Sequence, residues 1–200
     1  GMSPELAGGF YEMDNGNGSL MRILPLVLHI KDLDIEQRYE WTQKVSSITH
    51  GHVRSVMACF YYLEFAKKII DGKDKFQAYN ELQSEVTMYF ESRKINPLEI
   101  QKFSRLLFED ISKVEEDNIK SSGYVIDTLE ASAWCLLTTN SYKEAVLKAV
   151  NLGSDTDTTG AVTGGLAALM YGTNAIPKEW LAVLVRKDEI IKLAENYEIN

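Results

Sequence analysis

Cysteine is scarce in this sequence, and long apolar runs are missing from it. The two cysteines, Cys59 and Cys135, lie far apart in 200 residues. Each falls in an apolar helical pattern, which indicates buried thiols in a reducing compartment. No apolar run is long enough to span a bilayer, and no charged-then-apolar segment opens the chain. We therefore expect a cytoplasmic, soluble protein with no membrane partner.

Basic residues are also in deficit, which argues against nucleic acid as a partner. The chain has 29 acidic and 21 basic residues, a net charge of −8, and no basic run or stripe. Its hydrophobic content of 45% in 200 residues is enough for one well-buried core. We expect a single domain over residues 2–200, with Gly1 as a tag-cleavage remnant and Met2 as the natural start.

Alternating strand patterns and internal repeats are absent too, whereas helical periodicity recurs along the chain. The sequence therefore predicts an all-α fold. Residues 109–120 are highly charged and are expected to form a solvated loop or a surface helix. The predicted helices cover 23–30, 36–45, 53–70, 75–90, 97–106, 125–137, 142–153, 160–170, 177–185 and 188–197.

A compact acidic turn precedes a helix of small residues in the second half of the chain. Asp155 and Asp157 lie two positions apart with the hydroxyl of Thr158 beside them. Oxygen ligands of this kind suit Mg²⁺ or Ca²⁺ better than zinc. Helix capping is the alternative, because Ser, Asp and Thr are preferred at helix N-termini. The next helix contains Gly160 and Gly164, which predict the close approach of another backbone or simply tight helix packing.

A turn-rich loop lies near the start of the chain, in the string Asp14-Asn-Gly-Asn-Gly-Ser-Leu-Met-Arg22. Repeated Asn-Gly pairs expose backbone N–H groups that can receive an anion, with Arg22 near enough to assist or to pair with a carboxylate. A plain turn and cap is the alternative. His50 and His52 flank Gly51 at a helix start, where capping or a ligand-facing role is favoured over a metal site.

Four motifs in sequence order resemble the ADP-ribosylglycohydrolase family, the DraG-like enzymes that remove ADP-ribose from protein side chains. They are Asp14-Asn-Gly-Asn-Gly-Ser-Leu-Met-Arg22, Ile48-Thr-His50, Ser122-Gly-Tyr-Val125 with Thr128-Leu-Glu130, and Gly153-Ser-Asp-Thr-Asp-Thr-Thr-Gly160. The resemblance covers nearly the whole chain. It implies an orthogonal bundle of helices whose cleft holds two Mg²⁺ or Mn²⁺ ions, with the first and last motifs around one shared cavity.

The resemblance also implies a role for each matching residue. The metal ligands would be Asp155, Asp157 and Thr158, and the candidate catalytic base is Asp14. The residues expected along the ADP-ribose are Asn17, Gly18, Ser19, His50, Gly123 and Tyr124. Cleavage of a glycosidic bond to ribose develops oxocarbenium character, so a positioned water and a carboxylate base suit this chemistry.

The sequence departs from the family pattern at its N-terminal side. A Gly-Asp-Ala-Leu-Gly-like helix and a Thr-Asp-Asp-Thr-like motif, which supply the other metal ligands in the family, do not occur here. The expected fold is therefore an N-terminally truncated form of the bundle that holds Mg²⁺ or Mn²⁺ weakly or not at all. Three alternatives follow: an enzyme completed by another polypeptide, a remnant that binds ADP-ribose without turnover, or a structural, crystallin-like descendant.

The resemblance extends to partners. The expected ligand is ADP-ribose or an ADP-ribosylated protein. Without the N-terminal helices, apolar surface that the family fold would cover is left open, so we expect a homodimer or a partner chain over it.

Overall fold

The computed structural model describes residue 1 and residues 3–197, and over these residues the predicted all-α fold is confirmed. The helices are α1 Val27–Ile30, α2 Ile35–Ser47, α3 Val53–Ile70, α4 Lys75–Ser92, α5 Pro97–Gln101, α6 Ser104–Leu107, α7 Val125–Leu137, α8 Tyr142–Asn151, α9 Thr156–Tyr171, α10 Lys178–Val183 and α11 Lys187–Glu195. Within the described part of the chain, none of these helices is long and apolar enough to cross a membrane.

Helices α3 and α7 form the centre of the core. Fifteen of the eighteen residues of α3 are buried, and so are twelve of the thirteen residues of α7. A helix that is apolar around most of its circumference is covered on all sides. The two helices contact each other, α2 and α4 pack against α3, and α8 and α9 pack against α7. The start of α7 is thereby held near the start of α9, where the acidic turn lies.

Helix α9 packs its small residues against bulky side chains. A Cβ placed on Gly165 would lie 2.6 Å from Leu24 Cδ2 and 2.7 Å from Tyr62 Oη. The atoms nearest to Gly160 and Gly164 also belong to side chains, and α8 packs closely along this helix. The tight-packing alternative is correct. Tyr62 further donates a hydrogen bond from its hydroxyl to the carbonyl of Val162, 2.9 Å away.

Several predicted helices are shorter or more broken than their patterns indicate. The segment predicted as one helix over 23–30 contains a 3₁₀ turn, Leu24–Leu26, before the short α1. The segment 97–106 is divided into α5 and α6 around Phe103, and 109–120 is a loop with two 3₁₀ turns. These segments are short, so one local turn decides their conformation, and turns leave a weaker pattern than helical periodicity.

We predict that Gly165→Ala lowers the free energy of unfolding by about 1–3 kcal/mol, because the added methyl overpacks the contact with Leu24 and Tyr62. Helix propensity alone would change stability in the opposite direction, by about 1 kcal/mol. Urea denaturation measures the difference. Gly164→Ala is the matched control and should stay within about 1 kcal/mol of wild type, since its nearest neighbour is Tyr142 Oη at 3.3 Å. Equal stability of Gly165→Ala and wild type would contradict this packing.

Candidate active site

The Asn-Gly loop is attached to the start of α7 by backbone hydrogen bonds. Gly16 and Tyr124 form an isolated antiparallel bridge. The N–H of Asn17 donates to the carbonyl of Gly123 at 3.0 Å, and the N–H of Val125 donates to the carbonyl of Asn15 at 3.0 Å. These bonds fix the loop over residues 15–17 against the segment that carries Tyr124, more than a hundred positions further along the chain.

The side chain of Asn17 joins this loop to the acidic turn. Its amide nitrogen Nδ2 donates to Asp155 Oδ2 at 2.6 Å and to Thr128 Oγ1 at 2.8 Å. Asn17 is only 8% exposed, and its bond to Thr128 is buried whereas its bond to Asp155 is partly buried. The expectation that the first and last motifs meet is confirmed by this contact. Thr128 is a connection that sequence reasoning did not assign to the site, although it belongs to one of the quoted motifs.

Asp155 lies immediately before α9 and is held in its ionised form. The amide of Asn17 is the main cause that lowers the pKa of Asp155, and hydrogen bonds from Thr158 lower it further. Its own N–H donates to the carbonyl of Ser121 at 2.9 Å. Asp157 is exposed and neighbours the Asp155 carboxylate, whereas Thr158 is buried. The turn thus presents two carboxylates and one hydroxyl within four positions.

The side-chain oxygens of this turn are of the kind that binds a hard divalent cation, but there are too few of them to complete its coordination shell. Carboxylate and hydroxyl oxygens are the ligands that Mg²⁺ accepts, and Mg²⁺ requires six of them in near-octahedral geometry. Among the described residues, no group of three His, Cys, Asp or Glu side chains could hold a metal ion. Asp155, Asp157 and Thr158 therefore fit part of a magnesium shell, and the remaining positions fall to water or to other groups.

His50 contacts the glycines of the loop. A Cβ placed on Gly18 would lie 2.7 Å from His50 Cε1, so a glycine at this position lets the imidazole approach the backbone. The partial burial of His50 lowers its pKa, and the nearby positive charge of Arg22 lowers it further. The imidazole is therefore neutral at neutral pH. His50 Nδ1 shares a hydrogen bond with Thr49 Oγ1 at 2.9 Å.

Ser19, a predicted ligand-facing residue, and Asp14, the candidate base, both make side-chain hydrogen bonds within the protein. The Ser19 side chain is buried, with 0% exposure, and its hydroxyl accepts a hydrogen bond from the Cys59 thiol at 3.4 Å. A contact between Ser19 and a ligand is therefore limited to its backbone. Asp14 is partly buried and its Oδ2 accepts from the N–H of Tyr11 at 2.9 Å. Its assignment as the catalytic base stays a prediction.

Two further side chains cap helices. Arg22 was expected to assist an anion or to pair with a carboxylate, but its guanidinium donates to the carbonyl of Val45 at 3.0 Å and to Thr49 Oγ1 at 2.7 Å. It stabilises the end of α2, because the last carbonyls of a helix lack partners within that helix. His52 caps α3 by accepting from the N–H of Arg54 at 3.2 Å, in agreement with the capping interpretation.

A cleft of about 350 Å³ opens between the loop and Tyr124. It is lined by Glu12, Met13, Asn15, Gly16, Gly123 and Tyr124. Larger depressions of about 420 and 450 Å³ lie elsewhere and contain none of the candidate site residues. We assign the site to the smaller cleft because it adjoins Asn17 and Asp155. Sequence reasoning missed Glu12 and Asn15, which the fold brings to this cleft.

We predict that Asn17→Ala lowers the free energy of unfolding at pH 7 by about 1.5–3 kcal/mol, the range for a hydrogen bond to a charged group. The pKa of Asp155 is lower in the folded than in the unfolded protein. The stability that its ionised carboxylate contributes is therefore fully present above the unfolded-state pKa and is lost as the pH falls through the folded-state pKa. The loss caused by Asn17→Ala should therefore shrink towards about pH 3. Urea denaturation at several pH values measures it.

The matched control for this measurement is Asn15→Ala. Asn15 is also a buried amide, but its partners are neutral, namely the carbonyl of Glu12 and the hydroxyl of Ser55. Its loss of stability should not depend on pH in this range. A pH-independent loss for Asn17→Ala as well would show that the Asp155 carboxylate is not its partner.

Known proteins are similar to this chain along most of its length. A family model described as ADP-ribosylglycohydrolase matches residues 2–199. The ADP-ribosylarginine hydrolase Tri1 of Serratia proteamaculans (strain 568) is 32% identical over 183 residues, which are 90% of this chain and 45% of that protein. The ADP-ribosyl-[dinitrogen reductase] glycohydrolase of Rhodospirillum rubrum is 30% identical over 184 residues, which are 90% of this chain and 54% of that protein.

A solved structure titled ADP-ribosylglycohydrolase-related protein complex superposes with a TM-score of 0.75 at 29% identity. The superposition covers 92% of this chain and 60% of the chain in the solved structure. The chain spans about half the length of the curated relatives it matches. The family model matches nearly all residues of this chain. The chain therefore belongs to the ADP-ribosylglycohydrolase family.

Proposed function

We propose that this chain carries the ADP-ribose site of a Mg²⁺-dependent hydrolase that cleaves the glycosidic bond between ADP-ribose and a protein side chain or small acceptor. The observation that supports this most strongly is the hydrogen bond between Asn17 and Asp155, which brings the anion-receiving loop to the acidic turn. Relatives named as ADP-ribosylarginine hydrolase and as ADP-ribosyl-[dinitrogen reductase] glycohydrolase support the reaction class.

In this proposal the loop binds the diphosphate and the acidic turn faces the ribose. Gly16 lines the cleft, and a ligand can approach its backbone closely because glycine has no side chain. The neutral imidazole of His50 supplies a hydrogen-bonding group without adding charge. The Tyr124 ring forms one wall of the cleft.

The carboxylates have separate roles. Asp155, kept ionised by Asn17, would hold Mg²⁺ together with Asp157 and Thr158. A bound Mg²⁺ (or Mn²⁺) supplies a Lewis acid that orients oxygen ligands and activates water. Asp14 would accept the proton of the water that attacks the anomeric carbon, as the glycosidic bond breaks and its electron pair leaves with the acceptor.

A second candidate function is binding of ADP-ribose without turnover. The partial metal shell favours it, because two carboxylates and one hydroxyl from one turn leave half of an octahedral shell to water. Such a chain would keep the loop, His50 and Tyr124 as a binding surface and would hold the metal weakly.

We further propose a cytoplasmic location and a covering partner. Both cysteines are free and buried, as expected in a reducing compartment. Large apolar side chains are exposed around the N-terminal turns, among them Leu6, Phe10 and Met13. A second copy or a partner chain would cover them.

Sedimentation equilibrium of the purified protein, alone or with its partner, should therefore give a mass above that of the monomer. A monomer mass under both conditions would contradict the covering partner.

The test of the proposed function is a pair of measurements on the purified protein. Calorimetry with ADP-ribose, with and without Mg²⁺, should show binding in the wild type and about a tenfold or greater loss in Asp155→Asn, since one ionised ligand is removed. Release of ADP-ribose from ADP-ribosylarginine and ADP-ribosylserine, measured with Mg²⁺, should be detectable in the wild type and lost in Asp155→Asn and Asp157→Asn.

Asp74→Asn is the matched control, because Asp74 caps α4 at a helix start outside the cleft and asparagine caps equally well. It should leave affinity and turnover unchanged. Binding without turnover would support the second candidate function. The absence of both heat and turnover in the folded wild type would contradict both proposals.

A further inference from the structure

Arg54 is a buried cation beside the cleft for which neither the sequence motifs nor the proposed chemistry has a role. It lies in the first turn of α3 and is only 4% exposed. Its guanidinium donates to both carboxylate oxygens of Glu99, each at 2.8 Å, and to Glu12 Oε1 at 3.2 Å. Its central carbon lies 5.9 Å from the centre of the Tyr124 ring.

These contacts join segments that surround the cleft. Glu99 belongs to α5, Glu12 to a 3₁₀ turn ahead of the Asn-Gly loop, and Tyr124 directly precedes α7. Glu12 and Tyr124 are also two of the residues that line the cleft. Arg54 therefore touches two of its walls without lining it.

The pair with Glu99 fixes the direction of the guanidinium. A buried charge is costly unless it is paired and hydrogen-bonded, and a two-point contact between guanidinium and carboxylate also sets the orientation. Arg54 in turn lowers the pKa of Glu99, so both partners are charged. The contact with Glu12 adds little, because that side chain is 74% exposed.

The Tyr124 ring packs against the hydrophobic core and also lines the cleft. Its backbone N–H donates to Ser122 Oγ at 3.1 Å, but its side chain makes no capping hydrogen bond. The ring is partly exposed, and the Arg54 guanidinium is the charged group positioned over it. An aromatic ring and a cation in this arrangement attract each other through the electrons of the ring face.

We propose that Arg54, oriented by Glu99, is a positioning residue that holds the Tyr124 ring in place as a wall of the cleft and thereby sets the affinity for ADP-ribose. The choice of ADP-ribose as the ligand rests on the proposed function, whereas the contact between Arg54 and Tyr124 does not. Arg54 acts through Tyr124 and does not touch the ligand. Lysine at this position keeps the charge but loses the planar two-point contact with Glu99.

The alternative is that Arg54 only stabilises the fold. A matched pair in the same molecule separates the two possibilities. Arg38 donates to both carboxylate oxygens of Glu64 at 2.6 and 2.7 Å, and this pair is also buried. It lies between α2 and α3 and contributes nothing to the cleft. Arg38→Lys should therefore cost stability without changing the affinity for ADP-ribose.

The experiment is a double-mutant cycle on ADP-ribose affinity measured by calorimetry. We expect Arg54→Lys to weaken binding about fivefold and Tyr124→Leu about tenfold, the scale of an aromatic contact. The double variant should bind within about twofold of Tyr124→Leu, because Arg54 has nothing left to position. Losses that multiply in the double variant, or wild-type affinity in Arg54→Lys, would overturn the proposal.

A ligand-free measurement separates this proposal from the proposed function. The ring signals of Tyr124 in a tyrosine-labelled NMR spectrum, assigned with Tyr124→Phe, should shift or broaden in Arg54→Lys and stay unchanged in Arg38→Lys. If the wild type fails to bind ADP-ribose, the proposed function fails while the ring signals still decide the role of Arg54. Unchanged Tyr124 signals in Arg54→Lys would overturn the proposed role of Arg54. Should Arg54→Lys not fold, Glu99→Gln removes the same orientation and is expected to give the same shift.

Discussion

One hydrogen bond between distant parts of the chain organises the cleft: the amide of Asn17 donates to the carboxylate of Asp155, 138 positions later. A hydrogen bond to an ionised carboxylate is stronger than a neutral one, and leaving the buried amide of Asn17 unpaired carries a desolvation cost. The bond therefore keeps Asp155 charged and fixes the Asn-Gly loop against α9. Asn17 can reach Asp155 only because backbone hydrogen bonds from residues 15–17 attach the loop to the start of α7.

The core places these segments before their side chains meet. Helices α3 and α7 are buried along nearly their whole length, and α9 packs on α7 and, through Gly165, against Tyr62 of α3. The starts of α7 and α9 and the loop after the N-terminal turns consequently lie at the same end of the bundle. Arg54, at the start of α3, belongs to this end as well and contacts the wall formed by Tyr124.

The long helices and the motif residues were predictable from the sequence because each leaves a local signal. The apolar pattern of residues 53–70 matches α3 at both ends, and the acidic turn was visible as a string of oxygen-bearing side chains. Long-range pairing leaves no such signal. The burial of the Ser19 hydroxyl, the capping by Arg22 and the contacts of Arg54 depend on partners that only the fold brings near.

The acidic turn by itself provides only part of a magnesium site. Its oxygens are of the kind that Mg²⁺ prefers, yet within the described residues they are too few to complete a shell. The chain covers about half of the length of relatives whose names state hydrolase activity. In the proposed function, the binding of ADP-ribose rests on the loop, His50 and Tyr124, whereas cleavage of the glycosidic bond to the acceptor needs the metal as well.

The most direct measurement of the central claim is a crystal structure of the protein grown with ADP-ribose. We predict a ligand that contacts both the Asn-Gly loop and the turn at Asp155, with the amide of Asn17 still within hydrogen-bond distance of that carboxylate. A ligand bound in another part of the molecule, or an Asn17 side chain turned away from Asp155, would contradict it.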